Sequence, residues 1–374
     1  MKKILFRKLL LDYMSFFLIA LLSSSIIIWV FQAVNFLDIM IEDGRDYIVY
    51  INYSLLNFPK ILSKLFPFVI FFSLFYVTLK YEANNELMIF WNFGINKIQL
   101  INFIFKISIL LMFIQIILTS IIVPKSQDLA RSFLRKSTIN FFDNFIKPQR
   151  FNDTIKGVTI YSGKKDTKGN LYNLYIKKEI EDNEFQITYA KKGTFKKLNE
   201  MHILVLHDGE TITGKDSKIT NFSFKKSDFP LKNFETNTTT YKKTQEMSSK
   251  DLFKCIYTIY NSNIINTSIE NCLHKNLNNI LKELHKRFFI PLYIPLLMLI
   301  PFLLITSSKE NLNYTKIRLF TFLIGLLIII FSETTIRLIS KTLIKNYGII
   351  VVPIIALLIL YLIFFNKFNF IKTK

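Results

Sequence analysis

The chain has 374 residues, 51% of them hydrophobic, a mean hydropathy of +0.32 and a formal charge of +21. Apolar residues gathered into long runs exclude an ordinary water-soluble domain and mark an integral membrane protein. The basic excess lacks the concentrated stripe and readable motifs of a nucleic-acid binder, so no nucleic-acid partner is expected.

Met1–Lys8 is basic (Lys2, Lys3, Arg7, Lys8) and precedes the first apolar run, Tyr13–Val34. That run is too long for a secretory leader and no small-residue cleavage site follows it, so it is read as retained. Further runs cover Lys64–Leu79 and Leu100–Val123; beyond a long polar insert come Phe288–Thr306, Ile317–Arg337 and Gly348–Phe365. Most approach the ~20 residues that carry a helix across a ~30 Å hydrocarbon core. Lipid offers backbone polar groups no partner, so each run must be a helix. Six crossings put both termini on one side, and the basic flanks, including Lys367, Lys372 and Lys374, select the cytoplasm. The loop after the first span is acidic (Asp38, Glu42, Asp43 and Asp46 against Arg45), whereas the loop after the fourth carries Lys309, Lys316 and Arg318. Arg337, Lys341 and Lys345 run against this pattern, since they fall in an outer loop. Long domains translocate regardless of charge, so the insert is expected to be extracytoplasmic.

Between the second and third spans, Tyr81–Gly94 reads as a helix stopped by Gly94. Leu87, Phe90, Trp91 and Gly94 share one stripe, and Glu82 and Glu86 stand four apart near its start. Such a helix can lie in the interface with Trp91 among headgroups, or dock a soluble partner. Two carboxylates repel anionic lipid and suit a cationic groove, which favours docking.

In the insert the period changes to that of strands: Gly157–Tyr161, Leu171–Ile176, Phe185–Ala190, His202–Leu206 and Ile219–Phe224. Turns are expected at Asp166–Gly169, Lys192–Gly193 and Asp208–Gly209. Strands at this spacing predict a sandwich or jelly-roll, able to offer an apolar groove or an edge to another sheet. Gly209–Lys215 fits the start of a phosphate-binding loop, but Asp216 stands where a Ser or Thr should meet Mg²⁺ and no helix follows, so it is read as a chance match. Helical character returns over Ser248–Tyr260 and Leu277–Arg287. Cys255 and Cys272 lie in this stretch; they could pair if oxidised, which the sequence does not show, and free thiols are the favoured reading. His202, His207, His274 and His285 lack metal-ligand spacing, and no nucleophile elbow or catalytic triad context is present, so neither a metal nor an enzyme site is expected.

Basic pairs gather where spans meet the outer surface. Lys60 and Lys64, and likewise Arg337 and Lys341, stand four apart and share a helical face. Lys286 and Arg287 open the fourth span, and Glu333 lies one turn before Arg337. These cations can snorkel to headgroups, or Glu333 and Arg337 can pair; the alternative is a cationic collar for an amphiphile carrying phosphates.

Taken together, the chain resembles the lipopolysaccharide export permeases of the LptF/LptG (YjgP/YjgQ) family. The resemblance rests on the three-plus-three spans around a strand-rich insert, on Glu86–Gly94 as a coupling-helix pattern, and on Glu283-Leu-His-Lys-Arg287 before the fourth span. Phe151–Tyr161 is more similar to the F-type subunit than to the G-type. The resemblance implies an integral membrane α-helical fold of six spans with an inserted extracytoplasmic jelly-roll-like domain. Residues 1–123 would hold the first triplet and coupling helix, 124–275 the insert with its linkers, and 276–374 the second triplet. It further implies a non-catalytic inner-membrane subunit paired with an LptG-like permease and driven by an LptB-like ATPase dimer, which binds the ATP. The subunit would pass lipopolysaccharide to an LptC-like protein. Glu86 takes the coupling carboxylate role. The outer end of the first helix (Gln32–Phe36) lacks the basic residues common in the family, and Lys60, Lys64, Arg337 and Lys341 are the substitutes suggested for phosphate contact. The sister subunit LptG and a membrane-anchored interaction scaffold are the competing readings.

Overall fold

The computed structural model describes the chain apart from residues 1, 43–46, 147, 156–157, 167–168, 182–183, 199–200, 216–217, 231–241, 262–270, 308, 341–342 and 370–374. It divides into two units, residues 1–31, 56–129 and 241–374 in one and residues 32–55 and 130–240 in the other.

Among the described residues, six helices are long and apolar enough to cross a membrane. They begin with α1 (Lys2–Glu42) and α2 (Tyr47–Ala83), followed by the short α3 (Glu86–Asn92). Next, α4 (Lys97–Ile117) runs through a π turn at Leu118–Ile122 into α5 (Val123–Phe145). After the insert come α6 (Ser249–Asn261) and a fourth crossing assembled from α7 (Leu277–Leu284), a π turn at His285–Phe289, 3-10 turns and α8 (Tyr293–Leu299). The crossing is broken because Pro291, Pro295 and Pro301 each remove an amide donor. Every residue of α8 is buried, so neighbouring helices rather than lipid surround its irregular backbone. The bundle closes with α9 (Tyr314–Leu338) and α10 (Leu343–Asn369).

Packing follows helical spacing. Leu9, Tyr13, Phe17 and Leu21 of α1 repeat every four residues and meet Phe66, Ile70 and Leu74 of α2 in one core. On the other side of α2, the ring of Phe71 fills the space over Gly325 of α9, where a Cβ would lie 2.0 Å from the ring. Small residues bring membrane helices close in this way.

The insert folds as a six-stranded antiparallel sheet in chain order: β1 (Phe151–Ile155), β2 (Val158–Lys165), β3 (Leu171–Glu181), β4 (Glu184–Leu198), β5 (Met201–Lys215) and β6 (Lys218–Pro230). The five expected strands are present, and β1 adds one that the alternation did not reveal. The described pairings form a meander, without the crossovers of a jelly-roll. The turn at Asp166–Gly169 forms, with Gly169 N–H donating to Asp166 O at 3.1 Å. The other two expected turns do not: Lys192–Gly193 lies inside β4 and Asp208–Gly209 inside β5. Those glycines leave room for neighbours instead. A Cβ at Gly193 would stand 2.3 Å from Leu174, and one at Gly209 would stand 2.1 Å from the Tyr189 carbonyl and 2.6 Å from the Phe224 ring.

A crease crosses this sheet. By register Gly163, Asn173, Lys191, Asp208 and Lys225 stand opposite one another on successive strands, and each rung joining them is absent from the ladder. Asn173 and Asp208 adopt the left-handed conformation there, with φ 55° and 50°, a region that Asn and Asp enter more readily than most residues. Alternation inverts across the line: Leu171 and Leu174, three apart, are both buried, which a flat strand forbids. The bend lets a single sheet bury a core of its own, including Ile160, Leu171, Leu174, Ile176, Leu204 and Leu206.

The cysteines are a correction. Cys255 and Cys272 form a disulfide, with Cα atoms 5.7 Å apart. The amphipathic α6 turns Leu252 and Cys255 onto Ile280 and Leu284 of the α7 region, which brings the Cys272 stretch alongside. Spacing along the chain could not reveal that meeting.

Candidate functional site

The short helix α3 is fixed at both ends. Asn85 turns the chain with φ 60° and Gly94 ends the helix with φ 68°, its N–H donating to Trp91 O at 3.0 Å. Leu87 and Phe90 are buried, and the Phe90 ring meets Phe6 edge-on at 6.2 Å and Tyr81 at 6.4 Å. Trp91 is half-buried, with the Lys97 ammonium 5.7 Å from its ring centre. Lys97 also donates to Ile305 O at 2.8 Å, and Lys2 donates to Gly94 O at 2.9 Å. The stripe chosen from sequence thus anchors the helix to its own chain. Met88, Ile89 and Phe93 stand exposed on the opposite side. The signal for them was available, as apolar residues off the buried stripe of a short amphipathic helix.

The two carboxylates differ. Glu86 accepts from Asn84 at 3.2 Å and lies 3.6 Å from the Lys8 ammonium. Glu82 accepts from the Tyr314 hydroxyl, and Lys309 donates to the adjacent Ala83 carbonyl at 3.0 Å. Glu82 therefore braces the end of α2 against the start of α9, while Glu86 is the carboxylate on α3 itself.

At the other end of the spans, Glu283 and Arg287 meet as i and i+4 at 3.1 Å. Arg287 is 1% exposed. Its guanidinium also donates to Met247 O at 2.9 Å, Ser249 Oγ at 3.0 Å and Gln245 O at 3.1 Å. It clamps the connector ahead of α6 onto the fourth crossing, using the fixed fork of donors that only arginine offers. The two π turns meet here as well: Thr119 Oγ1 donates to Arg287 O at 2.9 Å, and Ser249 Oγ to Ser120 O at 2.8 Å.

Beside this clamp lies a cleft of about 850 Å³ between α2, the α7 region and α9. Lys64, Lys243, Lys282 and Lys286 line it together with Glu283 and Glu333, over apolar Pro67, Phe68, Ile329 and Ile336. Of the collar residues chosen from sequence, only Lys64 lies in this lining. Lys60 donates to Gln127 Oε1 at 3.3 Å, Arg337 is exposed in the last turn of α9, and Lys341 lies outside the described residues. Lys282 and Lys286 carried the same four-residue spacing that marked Lys60 and Lys64; Lys243 had no sequence signal.

Among the described residues no group of three or more His, Cys, Asp or Glu side chains is placed to hold a metal ion. The sequence model of the family described as "Lipopolysaccharide export system permease LptF/LptG" matches residues 7–367. The chain is also similar to an uncharacterised protein, RP871, of Rickettsia prowazekii (strain Madrid E), at 24% identity over 315 residues, covering 82% of this chain and 84% of the relative.

Proposed function

Because the chain belongs to the LptF/LptG permease family, we propose that it is the LptF-type half of an ATP-driven exporter that lifts lipopolysaccharide from the bacterial inner membrane. Members of this family are transmembrane permease subunits without catalytic chemistry, so the energy comes from another chain. In this reading an LptB-like ATPase dimer receives α3, an LptG-like permease completes the pair, and an LptC-like protein takes lipopolysaccharide from the sheet domain. Both termini are cytoplasmic and the insert periplasmic. The Cys255–Cys272 bond supports that placement, since structural disulfides persist in oxidising compartments.

Helix α3 carries the reading. Buried Leu87 and Phe90 hold it rigidly to the bundle, while Met88, Ile89 and Phe93 remain exposed beside Glu86. A rigid helix with an apolar tip and a carboxylate suits a partner groove that is apolar at its centre and basic at its rim. At the outer end, Lys64 with Lys282 and Lys286 would hold phosphates above an apolar floor.

Affinity purification of the full-length protein in detergent tests the first part. A nucleotide-binding subunit should accompany it, and Glu86→Lys with Met88→Asp should release that subunit while the helical content stays the same. Retention of the ATPase by the double variant would refute docking through α3. For the rim, combined Lys64→Gln, Lys282→Gln and Lys286→Gln should weaken lipopolysaccharide photocrosslinking; undiminished labelling would leave these lysines to lipid headgroups alone.

A further inference from the structure

A second cavity lies on the other side of the connector that Arg287 clamps, and nothing in the export reading uses it. It measures about 950 Å³ and is bounded by the start of α5, the connector, α6 and the fourth crossing. Its position along the helices is set by two changes of character. From the π turn into α5 the chain passes from exposed Ile121 to Pro124 and exposed Lys125, and in the fourth crossing it passes from Lys286 and Arg287 to Phe288. Both changes mark the water–hydrocarbon boundary, so the cavity opens at headgroup level.

Its walls are divided accordingly. Ile121, Pro124 and Phe288 form the apolar side, and Phe253 of α6 leans on Phe288 with ring centres 5.6 Å apart. Lys125, Lys250 and Lys254 form the polar rim with Ser248 and Ser249. The carboxylates nearby are engaged. Asp128 holds the Lys242 ammonium at 2.9 Å, Asp251 accepts from Ser248 Oγ at 2.6 Å, and Glu246 is buried and accepts from the Lys243 amide at 3.2 Å. Helix α6 supports the same orientation. Leu252 and Cys255 face inward, whereas Lys250, Phe253, Lys254 and Tyr257 share the exposed face. Lysines alongside aromatic rings on one face of a short helix suit a membrane surface.

We infer that this cavity holds the headgroup of an anionic glycerophospholipid from the outer leaflet, with its phosphate on Lys125, Lys250 and Lys254 and its acyl chains descending past Ile121 and Phe288. Two observations select a lipid over a soluble anion: the apolar wall continues into the spans, and the lysines stand only on the side away from them. The assignment to the outer leaflet rests on the topology proposed above, but the site itself needs neither lipopolysaccharide export nor a partner subunit.

The test uses the full-length protein in phosphatidylcholine nanodiscs doped with phosphatidylglycerol, with a photoreactive benzoylphenylalanine in place of Phe253. Labelling should favour phosphatidylglycerol, and the triple variant Lys125→Gln, Lys250→Gln and Lys254→Gln should lower that preference by roughly tenfold or more. The corresponding triple lysine-to-arginine variant should keep it, and an intact Cys255–Cys272 bond on a non-reducing gel reports that α6 still folds. Lys64→Gln, on the other cleft, should leave the preference unchanged. Equal labelling of the two lipids, or a preference that survives removal of the lysines, would overturn the site. Labelling of a copurified protein would assign the cavity to a protein partner and overturn it too.

Discussion

Replacing Arg287 by methionine removes a buried side chain that ties the connector to the fourth crossing, and its cost follows from the contacts. Arg287 is 1% exposed and Glu283 side-chain exposure is 17%, so the ion pair is nearly dry. Breaking such a pair by deleting one partner costs about 3–5 kcal/mol. Glu283 can recover some water at its exposed edge, which places the cost near the lower bound, about 3 kcal/mol. The orphaned carbonyls of Gln245 and Met247 and the Ser249 hydroxyl share in that loss. At about 1.4 kcal/mol per decade, the local opening equilibrium should shift roughly a hundredfold. Amide hydrogen exchange over residues 244–252, measured on the full-length protein in detergent, reads this directly. Arg287→Met should lose about two decades of protection there, while the amides of α8 keep theirs. Glu283→Gln keeps an acceptor and leaves the three connector contacts in place, so its loss should be about one decade or less. Arg287→Lys should fall between, because a single ammonium cannot span acceptors on both sides of a planar fork. Protection within threefold of wild type in Arg287→Met would refute the clamp, and so would a Glu283→Gln loss equal to that of the arginine variant.

Gly209→Ala should destabilise the sheet by about 1–3 kcal/mol, because the new methyl meets the Tyr189 carbonyl as well as a ring and backbone cannot step aside. Gly348→Ala, in an open part of α10, should be neutral or stabilising by up to about 1 kcal/mol, and thermal unfolding of the two variants side by side tests the contrast. Gly325→Leu should separate α9 from α2, since the Phe71 ring occupies its place; a cysteine pair across that contact would then lose its crosslink. Cys255→Ser with Cys272→Ser should cost about 3 kcal/mol for a closed loop of this size. Thiol labelling of the unreduced, denatured wild-type protein should find neither cysteine reactive.

What could be read from the sequence depended on whether the physics was local. The six crossings were legible because lipid imposes one rule on every apolar run, and the end of α3 was legible because Gly94 stops it within its own turn; its start was not, since Asn85 at φ 60° splits the expected Tyr81–Gly94 helix and leaves Glu82 in α2. The crease was not. Gly163, Asn173, Lys191, Asp208 and Lys225 come from five different strands, so their alignment exists only once the register is set. The same reason turned Gly193 and Gly209 from expected turns into interior strand positions: a glycine that makes room for Leu174 or Phe224 looks, in sequence, like one that makes a turn. The outer collar divides along the same line. Lys60 and Lys64 share a helical face by spacing, yet Lys60 reaches Gln127 of α5 while Lys64 lines the cleft with Lys282 and Lys286. Helical spacing names the residues that can act together; the neighbouring helix decides which of them do. On α3 the outcome reverses a natural inference from amphipathicity. The stripe chosen from sequence is used up in holding it to the bundle, and the apolar side chains it leaves exposed are Met88, Ile89 and Phe93, with Glu86 beside them. In the proposed docking, that anchoring is what would carry a displacement at the tip of α3 into the ends of α2 and α4.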